Sequence, residues 1–151
     1  MVYIEKFNGK MFEYDPCRFV TDNMNRVMLK IVWVSSRVFR SGIKEGRPYY
    51  KVTFEVLSVK KMGAKINVIY DNEDVYVSKS GQTHPGGKIR LHKLSVAAGY
   101  YMLFNGNKVP PNKENFDVYE LIGRKLIADI SVRQTQPDRW VYYLSKETEI
   151  D

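Results

Sequence analysis

The chain has 151 residues, enough for one domain with its own hydrophobic core. Its 44% hydrophobic and 27% charged content is typical of an ordinary soluble globular protein. The single cysteine, Cys17, excludes an intramolecular disulfide, and no apolar run approaches the roughly 20 residues that span a membrane. We therefore expect an intracellular protein that does not bind membranes. A net charge of +7 favours negatively charged partners.

The first 23 residues are predicted to form an N-terminal arm without regular elements. Asn8-Gly9 and Asp15-Pro16 are turn signals, and no hydrophobic period persists there. An arm of this kind can lie along the edge strand of a neighbouring copy, so a homodimer is left open. The rest of the chain divides into a domain over residues 24–146 and a short acidic tail over residues 147–151.

Three long strands are predicted in the first half of the domain. The first, residues 24–39, is a β-branched run expected to be covered on both faces, with Trp33 in the core. Inward and outward side chains alternate in the second, residues 49–59, and in the third, residues 64–70. A short strand, Val75–Val77, follows. In the second strand the inward set is Tyr50, Val52, Phe54 and Val56.

The hydrophobic period changes in the second half. Apolar residues at spacings of three and four predict a helix over residues 88–104, which Asn105-Gly106-Asn107 ends. Alternation then predicts two final strands, over residues 125–134 and 139–145. The predicted fold class is therefore all-β with one helix, arranged as an OB-like five-stranded Greek-key barrel with the helix between strands three and four.

The most strongly charged part of the chain is residues 37–65. Eight basic residues stand against two acids, Glu45 and Glu55, so this stretch carries +6 of the total +7. Aromatic residues are interleaved with the cations. Because cations neutralise phosphates and flat rings stack on bases, this composition favours binding of a nucleic-acid strand. The stretch also covers the first loop and second strand, where an OB-fold binds oligonucleotides.

Candidate binding residues are basic or aromatic side chains expected to face outward. Tyr49 and Lys51 alternate with a clearly apolar set, so the ring can stack on a base while the ammonium holds a phosphate. The alternatives without a binding role are a solvated basic loop and a half-buried tyrosine at a strand end. The full set of candidates is Arg37, Arg40, Lys44, Arg47, Tyr49, Lys51, Lys60, Lys61, Lys65, Tyr76, Arg133, Arg139 and Trp140.

The second half of the chain carries a short motif, Leu121-Ile122-Gly123-Arg124, between the helix and the fourth predicted strand. In this motif and in the order of its elements over residues 26–145, the chain resembles phage-encoded single-stranded-DNA-binding proteins of the OB-fold type. Those proteins place Leu-x-Gly-Lys/Arg at this point. The first 23 residues have no counterpart, and Gln136-Pro137-Asp138 departs from the usual small-residue turn.

The resemblance implies sequence-tolerant binding of single-stranded DNA in replication, recombination or repair. It also implies partners among replication or recombination proteins, and the cytoplasm of the host cell as location if a phage encodes the chain. Two alternatives stay open. One is an RNA-binding module of the same architecture. The other is a structural or interaction protein, such as a virion component, whose basic loop binds an acidic partner.

An enzyme is not predicted, and neither a cofactor nor a metal is expected. His84 and His92 have no zinc-ligand spacing with Cys17. The acidic cluster at residues 71–74 lacks the glycine and terminal glutamate of a calcium loop. The glycine-rich segment before Lys88 lacks phosphate-loop spacing, although an anion at that helix N-terminus is left open.

Overall fold

The computed structural model describes residues 3–7, 10–14, 19–112 and 116–150. The strands are β1 (Tyr3–Phe7), β2 (Lys10–Tyr14), β3 (Met24–Val38), β4 (Pro48–Val56), β5 (Lys65–Asp71), β6 (Val75–Val77), β7 (Thr83–Pro85), β8 (Met102–Phe104), β9 (Asn107–Val109), β10 (Lys125–Gln136) and β11 (Arg139–Thr148). The helix α1 spans Gly87–Ala97, and a 3₁₀ turn spans Val118–Leu121.

One antiparallel sheet, in the order β11-β10-β3-β4-β5, forms the centre of the fold. The prediction of a mostly β fold is confirmed. The helix α1 lies between β5 and β10, which are the third and fourth strands of this sheet in chain order, as predicted. A closed barrel is not formed, because the edge strands β5 and β11 share no ladder of hydrogen bonds in the described residues. These two strands nonetheless approach each other, and α1 packs against both.

The core lies on the inner face of this sheet. The inward set predicted for β4 is confirmed, since Val52, Phe54 and Val56 are fully buried and Tyr50 packs against the core while partly exposed. The same alternation buries Ile66, Val68 and Tyr70 in β5 and Leu126, Ala128 and Ile130 in β10. The period of two therefore predicted the inner face of three strands correctly.

Trp33 is not in the core, so that expectation is wrong. Ile31 pairs with Phe54 and Trp33 with Thr53, which leaves Val32 as an extra residue, a β-bulge in β3. The bulge reverses the alternation. Val34 is buried in consequence, while the Trp33 side chain turns to the outer face and is 59% exposed.

The helix α1 ends earlier than predicted. Gly99 has a positive φ of 79°, and its N–H donates to the Val96 carbonyl, which closes the last turn. Met102–Phe104 is therefore a strand rather than a helix, paired with Asn107–Val109. Asn105 and Gly106 both have positive φ, as a two-residue hairpin turn requires.

The N-terminal segment contains a β-hairpin of β1 and β2 instead of irregular chain. The turn signals Asn8-Gly9 and Asp15-Pro16, and Cys17, lie outside the described residues. Val20 is buried, and its carbonyl accepts a hydrogen bond of 2.8 Å from the Tyr142 hydroxyl. Residues 19–23 thus pack with the sheet.

The Leu121–Arg124 motif has a structural part in the fold. Leu121 is buried, and Gly123 adopts a positive φ of 91°. Its N–H donates to the Ile31 carbonyl at 2.7 Å, next to the bulge, so the chain enters β10 at this point. Arg124 donates to the carbonyls of Glu120 and Gly99.

None of the described helices has the length and apolarity needed to cross a membrane.

Candidate nucleic-acid interface

The outer face of β3, β4 and β5 carries four of the predicted binding residues in cross-strand rows. The row nearest the β3–β4 loop is Arg37, Tyr49 and Asp71; the next is Ser35, Lys51 and Ile69; the third is Trp33, Thr53 and Asn67; the fourth is Lys30, Glu55 and Lys65. Residues opposite each other in a ladder share a face, so rings, cations and polar groups alternate along this surface.

Tyr49, the ring with the strongest sequence-based expectation, is half-buried. Its centroid lies 4.3 Å from that of Phe39, with the two rings tilted by 35°. The β3–β4 loop closes over this pair through hydrogen bonds between Phe39 and the backbone of Gly46 and Arg47. Tyr49 therefore faces outward as predicted, but Phe39 takes up part of its surface.

Two predicted phosphate ligands are held by the acidic turn, defined here as residues 71–74. The Lys44 ammonium lies 2.5 Å from the Asp71 carboxylate, and an Arg47 guanidinium nitrogen lies 2.6 Å from that of Glu73. A phosphate that binds either cation therefore competes with a carboxylate for it. Asp71 and Glu73, which do not form a calcium loop, thus act as counterions of the basic loop, defined as residues 39–47 between β3 and β4.

The acidic turn also covers the N-terminus of α1. Asp71 Oδ1 accepts hydrogen bonds from the N–H of Gly87 at 2.8 Å and of Glu73 at 3.2 Å, and the Lys88 N–H donates to the Glu73 carbonyl. A carboxylate is stabilised at a helix N-terminus by the unpaired N–H groups and the macrodipole. The anion site that the sequence left open therefore holds Asp71.

We expect Asp71→Asn to reduce the free energy of unfolding at pH 7 by about 2 kcal/mol, the range of a hydrogen bond to a charged group. Burial acts to raise the Asp71 pKa, but hydrogen bonds from Lys44, Gly87 and Glu73 outweigh it and lower the pKa. A carboxyl with a lowered folded pKa stabilises fully above its unfolded pKa, about 3.9, and this is lost as pH falls through the folded value.

Urea unfolding of both proteins between pH 6 and pH 2 measures this effect. The wild type should lose more stability than the variant as the pH falls below about 4. Asp22→Asn, at an exposed position, is the control. Parallel pH profiles for the wild type and Asp71→Asn would contradict the role assigned to this carboxylate.

Apart from Lys65 on the outer face and Tyr76 on β6, the remaining candidates lie in the β4–β5 turn, near the β10–β11 turn and in the β3–β4 loop. Lys60 and Lys61 are in the β4–β5 turn, at the opposite end of β4 from the basic loop, and Lys65 is directly across from Glu55. Arg133 and Arg139 are exposed near the β10–β11 turn. Trp140 is half-buried, with its ring 5.1 Å from Phe19. Arg40 is exposed in the basic loop.

A cleft of about 720 Å³ opens between the edges of β5 and β11. The sheet contributes Lys51, Asn67 and Ile69, and the β3–β4 loop contributes Phe39 and Lys44. The opposite wall is residues 140–144 of β11. The cleft therefore joins the outer face of β4 and β5 to β11, and four predicted candidates line it: Lys44, Lys51, Tyr76 and Trp140.

The β6–β7 hairpin and α1 complete the cleft. Tyr76 stacks on His84 with centroids 4.9 Å apart, and both rings line the cleft. Arg90 lines it from α1, with its guanidinium 5.5 Å from the Tyr70 ring centroid. Its buried Nε has no hydrogen-bond partner among the described residues. Arg90 was missed in the sequence because no local pattern shows that this face of the helix lies beside β5 and β11.

A second cleft, of about 770 Å³, lies between α1, β9 and the end of β11. Its cations include Lys108, which is paired with Glu149 at 2.5 Å. Glu147 also lines it, and burial raises the pKa of that carboxyl. Acids therefore offset the cations here, and this cleft is the poorer match to a phosphate backbone.

Comparison with protein-family models, curated proteins and solved structures finds no match to this chain. Among the described residues, no three His, Cys, Asp or Glu side chains are grouped closely enough to hold a metal ion. Function is therefore inferred from the side chains of the outer face and the cleft.

Proposed function

We propose that the protein binds single-stranded DNA with little sequence preference, through the outer face of β3–β5 and the cleft beside it. The observation that carries this proposal is the cleft between β5 and β11, where Lys51 and Arg90 lie with the rings of Tyr76, Trp140 and Tyr143. Cations next to flat rings are the two components that a single strand requires.

The proposed architecture is that of an OB-fold. An OB-fold is a partly open five-stranded Greek-key barrel that binds oligonucleotides on its strand 2–3 face and on the loops after strands one and four. In chain order, the first three strands of the sheet here are β3, β4 and β5. The strand 2–3 face therefore corresponds to β4 and β5, and the loop after the first strand is the basic loop. The cleft contains residues from β4, β5 and this loop, and from the beginning of β11, which supports the proposal.

Fluorescence polarisation of labelled oligonucleotides across salt concentrations tests the function. We expect single-stranded DNA to bind, duplex DNA to bind more weakly because its bases are already stacked, and a log–log salt slope of about −4 for six phosphate contacts. Tight binding with a nearly flat salt response, or equal affinity for duplex, would contradict the proposal. A matched RNA strand distinguishes a DNA-binding from an RNA-binding protein.

Two variants identify the surface. Tyr49→Ala and Lys51→Ala should weaken binding, and Lys51→Ala should also make the salt slope shallower by about 0.7. Lys93→Ala, an exposed lysine of the second cleft, is the control and should leave both quantities unchanged. If no oligonucleotide changes the polarisation, the proposed function is wrong, and the alternative of an acidic protein partner becomes the one to test.

A further inference from the structure

Trp33 is exposed in a place where the sequence predicted a core residue. The side chain is 59% exposed on the outer face of the central sheet. Tryptophan is highly buried on average, so a ring displayed in the middle of a sheet calls for a physical reason. The packing of the core supplies none, because the bulge at Val32 brings Val34 inward in its place.

Polar and charged groups surround the ring at cross-strand distances. Thr53 is directly opposite Trp33 on β4, and Asn67 is opposite Thr53 on β5. Residues two positions apart on a strand are roughly 7 Å apart on the same face, which places the rows of Lys51 and Lys65 on the two sides of the Trp33 row. A flat ring therefore lies between two rows that each carry a cation.

The neighbouring amide has a fixed orientation. The Thr53 hydroxyl donates to Asn67 Oδ1 at 2.6 Å, which directs the carbonyl oxygen of that amide towards β4. The Nδ2 group of Asn67 keeps its N–H donors, and this side chain is exposed. The same face thus offers a ring for stacking and, two strands away, a donor for an acceptor on a base edge.

We propose that Trp33 is a base-stacking position of the interface, and that Asn67 donates a hydrogen bond to the edge of the nucleobase held there. This inference rests on the proposed function and adds to it a single base-binding position at the centre of the outer face. The bound DNA strand then crosses the third row of the outer face, the row of Trp33, and its phosphates lie beside Lys51 and Lys65. Duplex DNA does not use this position, because its bases are stacked inside the helix.

Tryptophan fluorescence and affinity together test this inference. Trp33 and Trp140 are the two tryptophans of the chain, so Trp140→Phe leaves Trp33 as the sole tryptophan emitter. Saturation with a single-stranded oligonucleotide should quench that emission, and duplex should not. If Trp140→Phe fails to fold, the comparison of wild type with Trp33→Phe measures the same quantity, since quenching should fall in the variant that lacks Trp33.

Trp33→Ala should weaken single-strand binding by roughly 5- to 150-fold, the range for loss of one stacked base, and Trp33→Phe by less. Asn67→Ala should cost about two- to tenfold. Phe104→Ala, at a ring 61% exposed on the β8–β9 hairpin, is the control and should bind like wild type.

The outcomes separate this inference from the proposed function. If the wild type binds no oligonucleotide, the proposed function fails. If the wild type binds but Trp33 emission is unchanged, or Trp33→Ala retains full affinity, the stacking role of Trp33 is overturned and the cleft remains the proposed site. Unchanged affinity in Asn67→Ala alone removes the hydrogen bond from the proposal.

Discussion

Replacing Phe54 with alanine is expected to lower the free energy of unfolding by about 3–5 kcal/mol, the usual cost of removing a buried phenylalanine ring. Phe54 has no exposed surface and lies on β4, the neighbour of both β3 and β5. It pairs with Ile31 on one side and Ile66 on the other, and both are fully buried. Truncation therefore leaves a cavity that rigid neighbouring strands fill only in part.

Urea or thermal unfolding measures this loss, and total stabilities of about 5–15 kcal/mol make it large enough to leave the chain partly unfolded at 37 °C. Val59→Ala is the control, because Val59 is 89% exposed in the β4–β5 connection and its truncation should stay within about 0.5 kcal/mol. A loss below about 1 kcal/mol for Phe54→Ala would mean that the inner face of β4 is not packed as described.

Gly87→Ala is the second large effect, with an expected loss of about 3 kcal/mol or more. A Cβ at Gly87 would lie 2.1 Å from the Asp71 backbone nitrogen and 2.5 Å from the Asp71 carbonyl oxygen. Backbone atoms cannot move aside as a flexible side chain can, so the acidic turn and α1 have to separate. The variant then pays for overpacking, about 1–3 kcal/mol, and also weakens the Gly87–Asp71 hydrogen bond, about 1.5–3 kcal/mol.

A matched glycine separates this cause from backbone strain. Gly81 has a positive φ of 85° but no atom within 4 Å of an added Cβ, so Gly81→Ala should cost only about 1–2 kcal/mol for the left-handed conformation. The two variants are compared by thermal unfolding. Equal losses at Gly81 and Gly87 would show that the contact between the acidic turn and α1 is not tight.

The strands of the central sheet were predictable because alternation is a local signal. The expected second strand, residues 49–59, and the structural strand Pro48–Val56 share the same inward set. The alternation predicted the wrong face for Trp33, because one bulged residue reverses it. The bulge lies where the backbone of Ile31 exchanges hydrogen bonds with Gly123 and Arg124. A contact between residues so distant in the chain leaves no periodic trace.

The sequence predicted which residue types line the candidate site better than it predicted the contacts that those side chains make. The outward direction of Tyr49 and Lys51 follows from the period of β4, but the Phe39 ring against Tyr49 depends on how the loop folds back. The ion pairs of Lys44 and Arg47 join residues 27 and 26 positions apart. Local charge counts therefore overstated the positive charge of the loop.

Because the acidic turn already neutralises two cations of the basic loop, a phosphate that binds there exchanges one anion for another. Lys44 and Arg47 already neutralise Asp71 and Glu73, so a phosphate that replaces these carboxylates gains one attraction and ends another. The displaced carboxylates then attract solvent cations, which cancels much of the counterion release at these two positions. Contacts through Lys44 and Arg47 thus add little to the salt dependence of binding, while each exchange also loosens the contact between the loop and the N-terminus of α1.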